Sequence, residues 1–251
     1  MLLLVVDTAG HTGGVLLARL TENNRHESPW VEIYGEIGLH PRQFSAELIP
    51  AIAELLRANE RRLADVDAFA VVSGPGSFTG LRVGLSAVKA MAEATGKPIL
   101  TLSRLAILAS VAAKPSSGEL ADAAAHVVLD AGRGEFYHGV YRDAGKTRVA
   151  ESFETLESLT EKIGQQPGWV IVSEAPVKAA IESVAGSRSC EVPLPSVRDA
   201  LPLAVVEWRG RRFHDPGSVD ANYLRRSDTV VVVRTKADPM AARATRAEDL
   251  P

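Results

Sequence analysis

Apolar and polar positions along the chain switch between two periods. Residues 2–6 form an unbroken leucine and valine run, the pattern of a strand buried on both faces. Asp7-Thr8-Ala9-Gly10 follows with turn chemistry, Gly13-Gly14 extends it, and residues 15–20 form a returning strand. Residues 30–37 alternate Val31, Ile33 and Gly35 against Glu32, Tyr34 and Glu36, which predicts a third strand. From Phe44 the period lengthens. Leu48, Ile52, Leu55 and Leu56 recur at helical spacing, with Ser45 as the expected N-cap. Pro50 falls inside that helix, where a proline costs about 3 kcal/mol or bends the axis, so a bend is expected. Residues 68–72 predict a short buried strand, 81–94 a helix, 99–102 a strand and 105–112 a helix of small residues.

The second half opens as the first does. An apolar strand at 126–129 ends on Asp130, Ala131-Gly132-Arg133-Gly134 makes a turn, and residues 135–141 return. Strand, Asp, glycine turn and strand thus recur 123 residues apart, from Asp7 to Asp130. That spacing is too long for a solenoid and suits two related lobes, although the residue identity is slight and coincidence stays open. Helices are expected at 155–163, 177–184 and 201–213, the last interrupted by Gly210, and a strand at 170–172. The polar stretch Lys114-Pro-Ser-Ser-Gly-Glu119 marks the boundary. The expected division is a first lobe at 1–113, a second at 114–225 and a frayed tail at 226–251, within which 230–233 could add an edge strand.

Composition narrows the class. At 251 residues, with 46% hydrophobic and 24% charged residues, the chain has the balance of a soluble globule. Neither apolar run, 1–6 or 230–233, approaches the roughly 20 residues of a membrane span, and 1–6 lacks the form of a signal peptide. A single cysteine, Cys190, allows no internal disulfide, which points to the cytoplasm. A net charge of −3 argues against a protein that grips nucleic acid alone. Arg209, Arg211 and Arg212 form the one dense basic run, read as a solvated helix end, with tRNA contact as the competing reading.

The stretch Ser73-Gly-Pro-Gly-Ser-Phe-Thr-Gly-Leu-Arg82 sits between a strand and a helix, the setting of a phosphate cradle. It fits neither known form. A Walker A loop needs four residues between its glycines and then Lys-Ser/Thr, whereas Leu81-Arg82 follows here. The dinucleotide form needs a third glycine where Thr79 stands. Glycines that permit a tightly packed turn are the favoured reading. Asp7 and Asp130 each end an inner strand and could face a metal–phosphate complex or cap the following turn; with Thr8, they are the candidate cofactor contacts. His11, His26, His40, His126, His138 and His214 are dispersed, no His-x-x-x-His occurs, and Ser77 and Ser103 show no histidine partner. No catalytic residue, metal or cofactor is therefore expected. The helix at 81–94 carries two stripes, Leu81, Leu85, Val88, Ala92 and Gly84, Ala87, Met91, Ala94. The second suits close helix approach, inside the chain or across a subunit interface.

Gly74 to Arg82, followed by Val-Gly-Leu-Ser86 and Lys89, resembles the diagnostic segment of the bacterial TsaB (YeaZ) family. Asp7-Thr8, Leu48-Ile49-Pro50, Asp65-Val-Asp-Ala68, Asp130-Ala, Gly134-Glu135, Tyr137 and Tyr223-Leu-Arg225 extend the resemblance over roughly 1–225, while Phe44 and Ala221 depart from it. The resemblance implies a two-lobed actin-like/Hsp70-like (ASKHA) α/β fold with a mixed sheet and helices in each lobe. It implies a non-catalytic subunit of the complex that makes N6-threonylcarbamoyladenosine at position 37 of ANN-decoding tRNAs. The expected partners are TsaD, which transfers the threonylcarbamoyl group, the ATPase TsaE, and tRNA through the complex, with a homodimer when TsaD is absent. Carried onto this chain, the partner interface comprises Leu48, Ile49, Ile52, Ala53 and Leu56 of the first helix with Gly84, Ala87 and Met91 of the second. The alternatives are a free-standing actin-fold ATPase or kinase acting through Asp7, Asp130 and the glycine loop, and a peptidase, which the missing nucleophile–base pair argues against.

Overall fold

The computed structural model describes residues 1–22, 30–113, 124–185 and 188–224. The residues at 226–251, expected as a frayed tail with a possible edge strand at 230–233, and the boundary at 114, lie outside the described residues.

Strands β1 (Leu2–Asp7), β2 (Gly13–Thr21) and β3 (Trp30–Leu39) form an antiparallel meander. Helix α1 (Phe44–Ala58) leads to β4 (Ala68–Gly74), which pairs parallel with β1. Helix α2 (Phe78–Thr95) then leads to β5 (Ile99–Ser103), parallel to β4, and α3 (Arg104–Ala113) follows directly. The sheet order is β3-β2-β1-β4-β5. The second sheet repeats this plan with β6 (Ala125–Gly132), β7 (Glu135–Arg142), β8 (Thr147–Thr155), β9 (Trp169–Val172) and β10 (Ser189–Glu191). Its order is β10-β9-β6-β7-β8, again three antiparallel strands and two parallel ones. Helices α4 (Leu156–Gln165), α5 (Ala175–Ala185) and α6 (Leu201–Arg209) occupy the places of α1, α2 and α3. The motif repeat at Asp7 and Asp130 is therefore the head of a duplicated lobe.

Local chemistry accounts for the element ends. Ser77 caps α2 by accepting from the Gly80 N–H, so the helix starts three residues before the expected Leu81. Gly96 ends it in the left-handed region at φ 65°, where glycine carries no Cβ penalty. Helix α1 starts one residue before Ser45 and runs through Pro50 without ending; Pro50 lies on the exposed face. Thr155 caps α4 through the Ser158 N–H.

The third helix of each half crosses to the other lobe. Residues 104–110 of α3 are all buried, and Leu105 lies against Gly139 of β7. Helix α3, not α2, is thus the element apolar on all sides, as a helix between two sheets must be. Helix α6 packs beside β5, and the chain then pairs His214 with Ile99 through two backbone hydrogen bonds of 2.8 and 3.0 Å. Beyond it, Val219 joins the same core as β1 and α2.

Candidate functional site

The two aspartate turns share a local design. Asp7 Oδ1 accepts from the Ala9 N–H at 2.8 Å, and Asp130 Oδ1 accepts from the Gly132 N–H at 2.9 Å. Both carboxylates cap the turn that follows their strand, as one of the two sequence readings had it. Their surroundings differ. Asp7 and Thr8 are buried, and burial pushes the Asp7 carboxyl up, against the opposing pull of the Arg104 charge and the Ala9 hydrogen bond. Asp130 is exposed, and its own N–H donates to Glu174 Oε2 at 2.9 Å.

The loop from Gly74 to Arg82 packs onto the first turn. A Cβ at Gly76 would stand 2.1 Å from the Ala9 carbonyl oxygen, one at Gly80 2.1 Å from the Thr8 carbonyl oxygen, and one at Gly84 2.3 Å from Thr8 Oγ1. Ser77 N–H donates to the Ala9 carbonyl, and Thr8 Oγ1 donates to the Gly80 carbonyl at 2.7 Å. These glycines are required by close backbone approach, and the strand–loop–helix unit is sealed against the β1 turn. Gly84 consequently faces the interior. Its assignment to a partner interface is corrected: a side chain there would collide with Thr8 before it met another subunit.

Burial sorts the other interface candidates the same way. Leu48, Ile52 and Leu56 of α1 and Met91 of α2 lie in the core of this chain, so they cannot supply the contact surface assigned to them. Ile49 is 53% exposed, Ala53 is exposed, and Ala87 is half-buried. With Ala46 and Ala90, also exposed, they give the outer sides of α1 and α2 small and apolar side chains. At the start of α2, the motif residues Phe78 and Arg82 stack, with the guanidinium carbon 3.7 Å from the ring centre. Tyr223 tilts against Phe78 at 5.3 Å, and its hydroxyl accepts from Arg82 Nε at 3.4 Å. The Tyr223-Leu-Arg225 match therefore meets the glycine motif in space as far as Tyr223; Arg225 lies outside the described residues. The Pro75 and Leu81 positions of the motif are buried structural ones.

Three clusters escaped the sequence. Arg104 opens the buried helix α3 and lines the cleft between the lobes. Glu151 joins three parts of the chain: Oε1 accepts from Ser103 Oγ at 2.5 Å and from the Tyr141 hydroxyl, and Oε2 accepts from Asn222 Nδ2 at 2.6 Å and pairs with Arg148 at 3.5 Å. Ser103 thus has a carboxylate and a phenol as partners. Finally, His126 and His138 stack in the second lobe, with His126 Nδ1 2.9 Å from His138 Nε2. His126 Nε2 must donate to the Gln166 carbonyl at 2.6 Å, so in the neutral pair His138 Nε2 donates to His126 Nδ1. A lone charge before an apolar helix was the available signal for Arg104; Glu151 and the histidines needed the fold. Among the described residues no group of three metal-ligating side chains occurs, and no helix is long and apolar enough to cross a membrane. Arg212 is held by Glu207 through hydrogen bonds of 2.6 and 3.0 Å.

Two aspartate-headed hairpins facing one cleft, each on a sheet of the same order, define a two-lobed protein of the actin-like/Hsp70-like class. The model of a family described as TsaD, tRNA N6-adenosine threonylcarbamoyltransferase, matches residues 19–202. The chain is 30% identical over 212 residues to the tRNA threonylcarbamoyladenosine biosynthesis protein TsaB of Escherichia coli K12, covering 81% of this chain and 86% of that protein. It is 27% identical to TsaB of Haemophilus influenzae over 76% of this chain and 84% of the other. A solved Pseudomonas aeruginosa structure, described as an uncharacterised protein similar to the peptidase YEAZ, superposes with a TM-score of 0.69 at 25% identity, covering 89% of this chain and 99% of that one. The chain belongs to the TsaB (YeaZ) family, whose curated members here are tRNA threonylcarbamoyladenosine biosynthesis proteins.

Proposed function

We propose that this chain is a non-catalytic subunit of the complex that forms N6-threonylcarbamoyladenosine at position 37 of ANN-decoding tRNAs. Its task is to bind and support the TsaD-type transferase through the outer faces of α1 and α2, with the TsaE-type ATPase and tRNA engaged through the assembly. The observation that carries the reading is the exposed apolar side of α1, where Ile49 is 53% exposed beside Ala53. Such a face, where the small side chains of Ala46 and Ala53 flank Ile49, lets another helix approach closely, and apolar burial there drives association. The packed glycine loop is consistent with it: Gly76 and Gly80 meet the Thr8–Ala9 backbone, so the loop braces α2.

The experiment is reconstitution. The purified chain alone should neither turn over ATP nor transfer threonylcarbamoyl to tRNA, and adding it to the TsaD- and TsaE-type subunits should switch modification on. Steady ATP turnover by the lone chain, lost in Asp7→Ala, would replace this reading with that of a free-standing ATPase.

A further inference from the structure

Between His214 and Tyr223 the chain runs along the first lobe. Its His214 pairs with Ile99 of β5, Val219 is buried, and Lys89 Nζ of α2 donates to the Val219 carbonyl at 2.8 Å. The next contacts meet the glycine motif. The Asn222 N–H donates to the Ser73 carbonyl at 2.8 Å. The Asn222 carbonyl covers Gly74, where a Cβ would stand 3.1 Å from its oxygen. Tyr223 then closes on Phe78 and Arg82 at the start of α2.

The side chain of Asn222 reaches the other lobe, where its Nδ2 donates to Glu151 Oε2 at 2.6 Å. Glu151 lies on β8, the edge strand of the second sheet, and its side chain is 3% exposed. A carboxylate only accepts, and this one is ringed by donors: Ser103 Oγ, the Tyr141 hydroxyl, Asn222 Nδ2 and Arg148. A buried carboxylate held in this way has a fixed position, because loss of a donor leaves its charge poorly compensated. Asn222 therefore bonds at once to the second-lobe edge and to the backbone that opens the glycine motif.

We propose that Glu151 is a positioning residue for the outer face of α2: acting through Asn222, the second lobe holds the first turn of α2 in the orientation that the transferase subunit meets. A face ordered in advance binds more tightly, since association does not then bear the cost of ordering it. The effect on docking rests on the function proposed above, whereas the coupling of Glu151 to α2 rests on this chain's own contacts.

The test reverses the bond. Asn222→Asp sets a second carboxylate against Glu151 at pH 8 and leaves the backbone contacts to Ser73 and Gly74 in place. Adding Glu151→Gln restores the bond with roles exchanged: Gln donates, Asp accepts, and the Gln oxygen still accepts from Ser103 and Tyr141. In the lone chain, hydrogen exchange is read at the Ser77, Gly80 and Leu81 amides, which donate to the Ala9 carbonyl, Ser77 Oγ and the Ser77 carbonyl. Asn222→Asp should speed their exchange about tenfold, and the double variant should return it to within about twofold of wild type. Amides of α4 should not change in either variant, which separates the effect from general loosening. Affinity for the transferase subunit, measured by calorimetry, should fall about fivefold and recover in the double variant. Unchanged exchange at 77–81 in Asn222→Asp, or a double variant no better than the single one, would overturn the proposal. So would unchanged affinity for the transferase subunit in a variant whose exchange has risen. Failure of the wild-type chain to bind that subunit would instead defeat the proposed function, and the exchange rates would still decide whether Glu151 positions α2.

Discussion

The two lobes share their strand order, their aspartate-capped hairpin turns and their helix placement, yet they bury polar groups in different places. In the first lobe the buried polar residues other than Ser110 of α3 gather around the β1–β2 turn and the strand that leads into the glycine loop: Asp7, Thr8, Ser73, and Arg104 beside Gly10. In the second lobe the turn is open, Asp130 is exposed, and polar burial shifts to the body of the sheet, at His126, His138 and Glu154. The same scaffold has one turn clamped by its own chain and one left to solvent. The clamped turn fixes α2 in place, and α2 carries part of the face assigned to the partner. Rigidity is therefore concentrated behind the surface that the assembly would use.

Substitutions at the two turns should separate these roles most sharply. Gly80→Val would drive a side chain into the Thr8 carbonyl, and Gly84→Arg would displace Thr8; each should cost about 3 kcal/mol or more, read as a large fall in Tm. Gly132→Ala meets open space at φ 79° and should cost about 1 kcal/mol, the usual penalty of a left-handed alanine. Equal losses at Gly80 and Gly132 would break the contrast.

The histidine pair gives the second lobe its own signature. Burial and the His126 charge hold His138 down at about 4, with Glu154 pulling it up and Lys162 pushing it down, and burial lowers His126 as well. The unfolded chain binds protons near the ordinary histidine value of about 6.5, so it takes up more protons than the native state between those limits. Stability contributed by the neutral pair is complete above pH 6.5 and is lost as pH falls towards 4. The loss should reach about 3 kcal/mol across that window. Glu154, held by Ser158 and Lys162 and lowered by those partners despite burial, keeps its charge through the upper part of the window. His138→Gln retains a donor at the Nε2 position and should flatten denaturation midpoints measured from pH 7 to pH 5. A slope unchanged by that substitution would remove the pair from the account.

A smaller effect distinguishes the carboxylates themselves. Asp7→Ala removes a buried cap and the charge that acts on Arg104, and should cost about 1–3 kcal/mol. Asp130→Ala, at an exposed turn, should cost less than about 1 kcal/mol. Urea denaturation of both variants checks the order.

Much of this was legible in the sequence for a physical reason. The duplicated lobe was visible because Leu2–Asp7 and residues 125–129 are buried on both faces and each run leads into an aspartate turn, although the slight residue identity left coincidence open until the strand order was seen. Strand β8 was not, since its buried and exposed positions carry Thr, Arg, Glu and Ser with no clean alternation. The interface candidates went astray through stripe logic. Leu48, Ile52 and Leu56 recur at helical spacing because they face their own sheet, and the apolar residue outside that stripe, Ile49, is the one left to solvent. Gly84 looked like a groove for a second helix, but the space beside it is filled by Thr8, a residue 76 positions away.

The central claim is that α1 and α2 support a transferase subunit through their outer faces. Sedimentation of the chain mixed with its TsaD-type partner, wild type against the double variant Ile49→Glu, Ala53→Glu, tests it directly. Both sites are exposed, so the variant should melt within about 1 kcal/mol of wild type, while the heterodimer boundary seen with wild type disappears. A heterodimer of unchanged affinity with the double variant would show that the partner binds elsewhere and would contradict the account.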